Sequence, residues 1–152
     1  MSRDKTYWVL VERLANWEID KRDGFRQFGL PDRKLKLGSE IKEGDLLIFY
    51  VSSGISSFAD VREAAADGVS KLPLGGNYDT AFPWRVATRP CLSLPREAWV
   101  PMKSLAHRLS LTAGKADWRQ VMRTSLLRLS TKDGNLITAA MRRNVSERVA
   151  DS

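Results

Sequence analysis

The chain has 152 residues, 43% hydrophobic and 28% charged, a balance that fits one folded domain with its own core and excludes a disordered or fibrous polymer. Its longest apolar run, residues 46–51, falls far short of the roughly 18 residues a membrane span needs, and residues 1–5 lead into no signal-peptide core, so no membrane segment is expected. A single cysteine, Cys91, excludes an internal disulfide and a Cys-rich metal site, and the cytoplasm is the expected setting.

The formal charge is +7 and the pI is near 9.9. Residues 1–76 carry 12 Lys/Arg against 12 Asp/Glu and residues 77–152 carry 13 against 6, so the surplus lies in the second half. Clustered cations gain counterion-release energy from phosphates, so the asymmetry fits a polyanionic partner, and on charge alone a merely soluble basic surface fits it equally.

Tyr7-Trp8-Val9-Leu10-Val11 is aromatic and β-branched and reads as a first strand buried on both faces. Residues 14–22 form a short helix in this reading, with Asn16 as cap and Gly24 as stop, and residues 24–37 form an ordered loop. Ile41-Lys42-Glu43-Gly44-Asp45 is a turn that feeds Leu46-Leu47-Ile48-Phe49-Tyr50-Val51, which is expected to be the central strand. Residues 52–57 connect it to a return strand over 58–64. After a loop around Pro73, Gly75 and Gly76, a further strand starts near Phe82-Pro83-Trp84-Arg85 and continues past Pro90.

The last third changes period. Trp118, Val121, Met122 and Leu126 predict a helix over 116–127, and Ser130-Thr131-Lys132-Asp133 resembles a capping box ahead of a helix running to about Arg143. The tail over 144–152 is expected to fray. The expected domain spans 1–152 with its core over about 5–143.

Little in the chain suggests catalysis. The one histidine, His107, reads as a surface group, and Cys91, after Pro90 in a strand-like setting, reads as a buried inert thiol. Gly75-Gly76 lacks the Lys-Ser/Thr of a phosphate loop, and no Gly-x-Gly-x-x-Gly occurs. Asp20, Asp23, Asp45, Asp60 and Asp79 are scattered and read as solvated or turn-capping acids rather than a metal site. The expectation is a non-enzyme without cofactor or metal.

Five tryptophans are many for this length, and several fall at strand ends or turns, where flat rings can stack on a nucleobase. The order of motifs says more than their number. Tyr7-Trp8-Val9-Leu10, Asn16-Trp17, Gly44-Asp45 before a strand ending Phe49-Tyr50-Val51-Ser52, Phe58-Ala59-Asp60-Val61, Phe82-Pro83-Trp84-Arg85-Val86 and Leu129-Ser130-Thr131-Lys132-Asp133 with Ile137 together resemble the EVE domain family, over nearly the whole chain. The chain departs from the family pattern at Phe58-Ala59-Asp60-Val61, where members often have Gly-(Ile or Val)-Ala/Gly-Glu, and at Phe28-Gly29, where many have Trp-Gly.

The resemblance implies an α+β, PUA-like fold, a curved mixed β-barrel flanked by helices and related to the YTH domains that recognise methylated adenine in RNA. It also implies a reader that holds a flipped, modified base of DNA or RNA in an aromatic pocket. Carried onto this chain, the pocket lies between the first strand, the early loop and the end of the central strand. Trp8 stands at its edge, Trp17 and Phe28 are the stacking candidates, and Ser52 and Ser53 hydrogen-bond a base edge. Tyr78, Phe82 and Trp84 form the rim, and Arg85 either holds a phosphate or satisfies a buried carbonyl. Trp99 and Trp118 belong to the core, with Trp118 anchoring its helix, and Arg119, Arg123, Arg142 and Arg143 either extend a basic track or, equally, form solvated helix faces. The expected protein is a monomer whose partner is nucleic acid. The alternatives are a small-molecule-binding protein or enzyme on the same barrel, which needs a perturbed acid or a metal in the pocket, and a protein adaptor, which needs an exposed apolar patch.

Overall fold

The structure is a computed structural model that describes residues 5–71 and 82–150, with side chains to residue 146 in the last helix. Seven strands, β1 (Tyr7–Glu12), β2 (Gln27–Leu30), β3 (Leu46–Val51), β4 (Ser57–Ala64), β5 (Trp84–Ser93), β6 (Val100–Pro101) and β7 (Leu126–Leu129), form one sheet. Three α-helices, α1 (Leu14–Arg22), α2 (Leu35–Gly38) and α3 (Thr131–Ala150), flank it. The strand order is β2-β5-β4-β3-β1-β7, with β6 paired to β4; β1 and β3 run parallel and every other pair is antiparallel.

The pleat sorts the apolar residues of β1 and β3 into two cores, because successive side chains point to opposite faces. Trp8, Leu10, Leu47 and Phe49 enter one core, whereas Val9, Ile48 and Tyr50 enter the other. Phe28 and Leu30 from β2 and Leu126 from β7, the two ends of the sheet, meet in that first core. Edge strands share a core only if the sheet curls around it, which makes the sheet a curved half-barrel. Register shifts at Phe49/Tyr50 and at Val61/Arg62 help the bend, as bulges do. The outer core is covered by Trp17 of α1, Ile137 and Met141 of α3, and Leu94, Trp99, Leu105 and Leu109 from the β5–β7 connection.

Several local expectations are corrected. Residues 24–37 are not a loop throughout: residues 27–30 are β2, whose four residues with a central glycine are too short to show alternation. The helix expected over 116–127 is a single turn at Trp118–Gln120, and residues 126–129 are instead β7. The open edge of β1 decides this, since Leu10↔Leu126 through Tyr7↔Leu129 pair with it, and a ladder outweighs weak helical spacing. Trp118 therefore anchors no α-helix, although it is half-buried against the outer core. Arg13, not Asn16, is the N-cap of α1, and Gly24 follows its end with φ +76°. Cys91 is exposed. α3 runs to Ala150, beyond the expected end at Arg143.

The start of α3 is capped in part as expected: Ser130 Oγ accepts from the Asp133 amide at 3.1 Å. The buried Asp133 carboxylate accepts from the amides of Ser110 and Leu111, at 2.8 and 2.9 Å, and so pins the β5–β7 connection to the helix. One turn in, Gly134 lets α3 lie on β1. A Cβ there would sit 2.1 Å from Tyr7 Cγ. Gly134→Ala should therefore destabilise the fold by about 1–3 kcal/mol despite the better helix propensity of alanine, as measured by urea unfolding.

Candidate functional site

Two parallel strands and one antiparallel neighbour bring three chain segments to one end of the sheet. The C-terminal ends of β1 and β3 emerge side by side, with the Ser52 amide donating to the Glu12 carbonyl at 2.9 Å. Because β7 runs the other way, it is the segment before it that arrives there, and the Val11 amide donates to the Ser125 carbonyl at 3.1 Å. β2 and Phe82, just ahead of β5, close the far side, and a cavity of about 380 Å³ lies between them. That volume is at the lower end of ligand cavities, which run to roughly 300–1,000 Å³.

Phe28 and Phe82 supply aromatic wall, and Val11 and Met122 supply aliphatic wall. Asn16, Ser52, Ser53, Thr124 and Ser125 supply polar groups; Ser125 Oγ is buried with no hydrogen-bond partner among the described residues. Ser53 is held at φ +61°, a left-handed conformation that turns the chain at the rim. Three exposed arginines, Arg13, Arg33 and Arg123, line the same cavity, and none has a carboxylate partner among the described residues.

Of the residues singled out from the sequence, Phe28, Ser52, Ser53 and Phe82 are brought together here. Trp8 and Trp17 are not. Trp8 is fully buried with Nε1 donating to Asp45 at 3.0 Å, and Trp17 packs edge-on against Trp99 with Nε1 donating to Asp60 at 2.8 Å. Trp84 lies outside the cavity and donates to Asp32 at 2.8 Å, beside Arg33. Arg85, expected either to hold a phosphate or to satisfy a buried carbonyl, donates from Nη1 to the carbonyl of the half-buried Phe82. Tyr78 and Asp79 lie outside the described residues. Arg123 lines the cavity, whereas Arg119 lies over the Trp118 ring, and Arg142 and Arg143 sit on α3. A wider depression over Trp17 holds Lys21, Arg22 and Arg96, but Lys21 and Arg96 already lie over the rings of Trp17 and Trp99.

Behind the cavity lies what the sequence reading missed. Asp20 and Asp60 are buried rather than solvated, whereas Asp45, also buried, caps its turn as expected by accepting from the Lys42 amide at 2.9 Å. The fully buried Arg62 donates from Nε to Asp60 at 2.7 Å, from Nη1 to Asp20 at 3.0 Å and from Nη2 to Glu12 at 3.3 Å. The rings of Phe49 and Phe25 lie 3.5 and 4.4 Å from its guanidinium carbon. A signal did exist: Asp60 and Arg62, two apart in a strand, share one face among apolar neighbours.

Three carboxyls against one guanidinium leave excess negative charge, and a bound proton relieves it. Burial, then the neighbouring Asp20, pushes Glu12 well above the usual carboxylate range, and burial raises Asp20 to about 6. Among the described residues Glu12 Oε2 and Asp20 Oδ1 have no other donor, and when one of the two carboxyls is protonated a hydrogen bond between them satisfies both.

No family model matches the chain. A UPF0310 protein of Mesorhizobium japonicum is 29% identical over 141 residues, covering 89% of this chain and 91% of the relative. A UPF0310 protein of Pyrococcus horikoshii is 25% identical over 126 residues, covering 74% and 82%. Among solved structures, a protein of Agrobacterium tumefaciens superposes with a TM-score of 0.64 at 17% identity, covering 91% of this chain and 92% of that one. The YTH domain-containing protein Mmi1, solved with RNA, gives 0.66 at 10% identity, covering 99% and 89%. The fold is that of the PUA- and YTH-like proteins. Weak sequence similarity adds a link to the UPF0310 proteins. Among the described residues, no helix is long and apolar enough to cross a membrane.

The proton on the Glu12–Asp20 pair makes stability depend on pH. A carboxyl whose value is raised on folding stabilises the fold below its unfolded value and loses that contribution as pH rises through the folded one. For Asp20 the window runs from 3.8 to about 6. The free energy of unfolding should fall as pH rises across this window, and Asp20→Asn should flatten that fall. Equal slopes in the two proteins, in urea titrations at several pH values, would place the proton elsewhere.

Proposed function

We propose that the protein is a nucleic-acid-binding module of the EVE type, a reader that takes one modified base of DNA or RNA into the cavity at the ends of β1 and β3. The observation that carries this reading is the gathering of Arg13, Arg33 and Arg123, without carboxylate partners among the described residues, around a base-sized cavity that also holds Phe28 and Phe82. Unpaired arginines at a rim suit phosphates, to which a guanidinium can donate twice. Phenylalanine rings suit a base face, and the hydroxyls of Ser52, Ser53, Thr124 and Ser125 suit a base edge. The YTH domain of Mmi1, which shares this fold, was solved in complex with RNA, and that supports a nucleic-acid ligand here.

Charge along the chain is a poor guide to this rim, because Arg13 and Arg33 come from the half with no net charge and only Arg123 from the basic half. What matters is which cations are left unneutralised around a concavity.

The test is titration of the protein, followed by tryptophan fluorescence, with short oligonucleotides carrying cytosine, methylated cytosine, hydroxymethylated cytosine, adenine or methylated adenine at one position. Preference for one modified base supports a reader. In each of Arg13→Gln, Arg33→Gln and Arg123→Gln, the slope of log affinity against log salt should fall by about one, because each phosphate contact releases about one counterion. No binding to any oligonucleotide at low salt would overturn the reading and favour a small-molecule ligand.

A further inference from the structure

Gly29 lies in β2 opposite Arg85 in β5, and it lines the cavity. Its missing side chain is occupied space: a Cβ there would come within 2.6 Å of Arg85 Nη1, 2.9 Å of Phe82 Cβ and 3.3 Å of the Phe82 carbonyl oxygen. The guanidinium and the Phe82 backbone therefore cross directly over the bare glycine, joined by the Arg85-to-Phe82 hydrogen bond. Arg85 is itself immobilised. Its backbone exchanges two hydrogen bonds with Ser70, at 2.9 and 2.7 Å, and its side chain is buried. Phe82, by contrast, precedes β5 and is in no strand ladder among the described residues.

We propose that Arg85 is a positioning residue of the cavity: by donating to the Phe82 carbonyl across the open face of Gly29, it holds the Phe82 ring as a fixed wall for a stacked base. This rests on the base-reading function above and deepens it, since it assigns the stacking surface to a ring that is preset before binding. A wall that is already ordered costs no side-chain entropy when the base arrives, which is where preorganisation adds affinity. Trp84 acts similarly on the neighbouring rim, because its bond to Asp32 fixes the segment that carries Arg33.

The experiment compares affinity for a short single strand carrying whichever base of the panel binds best with affinity for the same strand made abasic at that position. The difference reports stacking and edge contacts, whereas the abasic strand reports the phosphates alone. Wild type should prefer the base-bearing strand by about tenfold or more. Arg85→Gln should lose most of that preference while its affinity for the abasic strand and its salt slope stay at wild-type values, and Arg85→Lys should recover part of it. Gly29→Ala provides a second route that leaves Arg85 in place, because its methyl group drives the guanidinium or Phe82 aside, and it should show the same loss. Phe82→Ala should match both. Thermal melts establish that each variant is folded, and a merely structural defect would weaken both strands together. If wild type discriminates and folded Arg85→Gln or Gly29→Ala discriminates equally, the positioning role is wrong while base reading stands. If wild type binds both strands equally, base reading fails and the positioning role with it.

Discussion

One buried cation organises this molecule. Arg62 rises from β4 into a space bounded by β1, β3 and α1, and its donors reach a carboxylate on each of β1, α1 and β4 while its two faces are covered by phenylalanine rings. Taking a guanidinium out of water is costly, and it is sustained only where nearly every donor is matched. The match specifies the arrangement: α1 must lie where Asp20 meets Nη1, and β1 must end where Glu12 meets Nη2. The indole of Trp17 adds a bond to Asp60 and ties α1 to the same point. The excess of carboxyls raises the affinity of the Glu12–Asp20 pair for a proton, so the cluster's electrostatics change with pH in a window set by burial.

The cavity inherits its shape from that arrangement. Glu12 is the last residue of β1, Arg13 follows it at the rim, and Asn16 projects from the first turn of the helix that Asp20 anchors. Phe28 lines the cavity and packs edge-on against Phe49, the ring stacked on Arg62. The charged cluster and the candidate site are thus two sides of one wall. On the far side the constraint is steric: the absence of a Cβ at Gly29 lets Arg85 reach over to Phe82. Most of the tryptophans are framework by comparison, with the indole N–H groups of Trp8, Trp17, Trp84 and Trp99 each donating to an oxygen of the protein.

The central strand Leu46–Val51 was legible because six consecutive apolar residues bounded by a Gly-Asp turn have few other solutions, and α1, the β3–β4 hairpin and the Ser130 cap were legible from equally local signals. β2 and β7 were not, because each is only four residues long and exists through a partner distant in sequence. Four candidate residues, Phe28, Ser52, Ser53 and Phe82, meet at the cavity; the order of motifs pointed to them, yet it pointed as well to Trp8 and Trp17, which the core absorbs. Arg13, Asn16, Arg33, Met122, Thr124 and Ser125 went unseen as cavity residues for a common reason: in the sequence each is an ordinary surface residue or part of an apparent helix.

Alternation, turn chemistry and capping act between residues near one another in the chain, so the sequence by itself determined the α+β class, the position of the central strand and the start of the last helix. Whether an acid is solvated or buried against Arg62, whether an arginine is neutralised or left facing a cavity, and whether a tryptophan is wall or core depend on groups that only the curl of the sheet brings together. The tertiary structure alone decided those, because burial and charge pairing are properties of a place in space and not of a place in the chain.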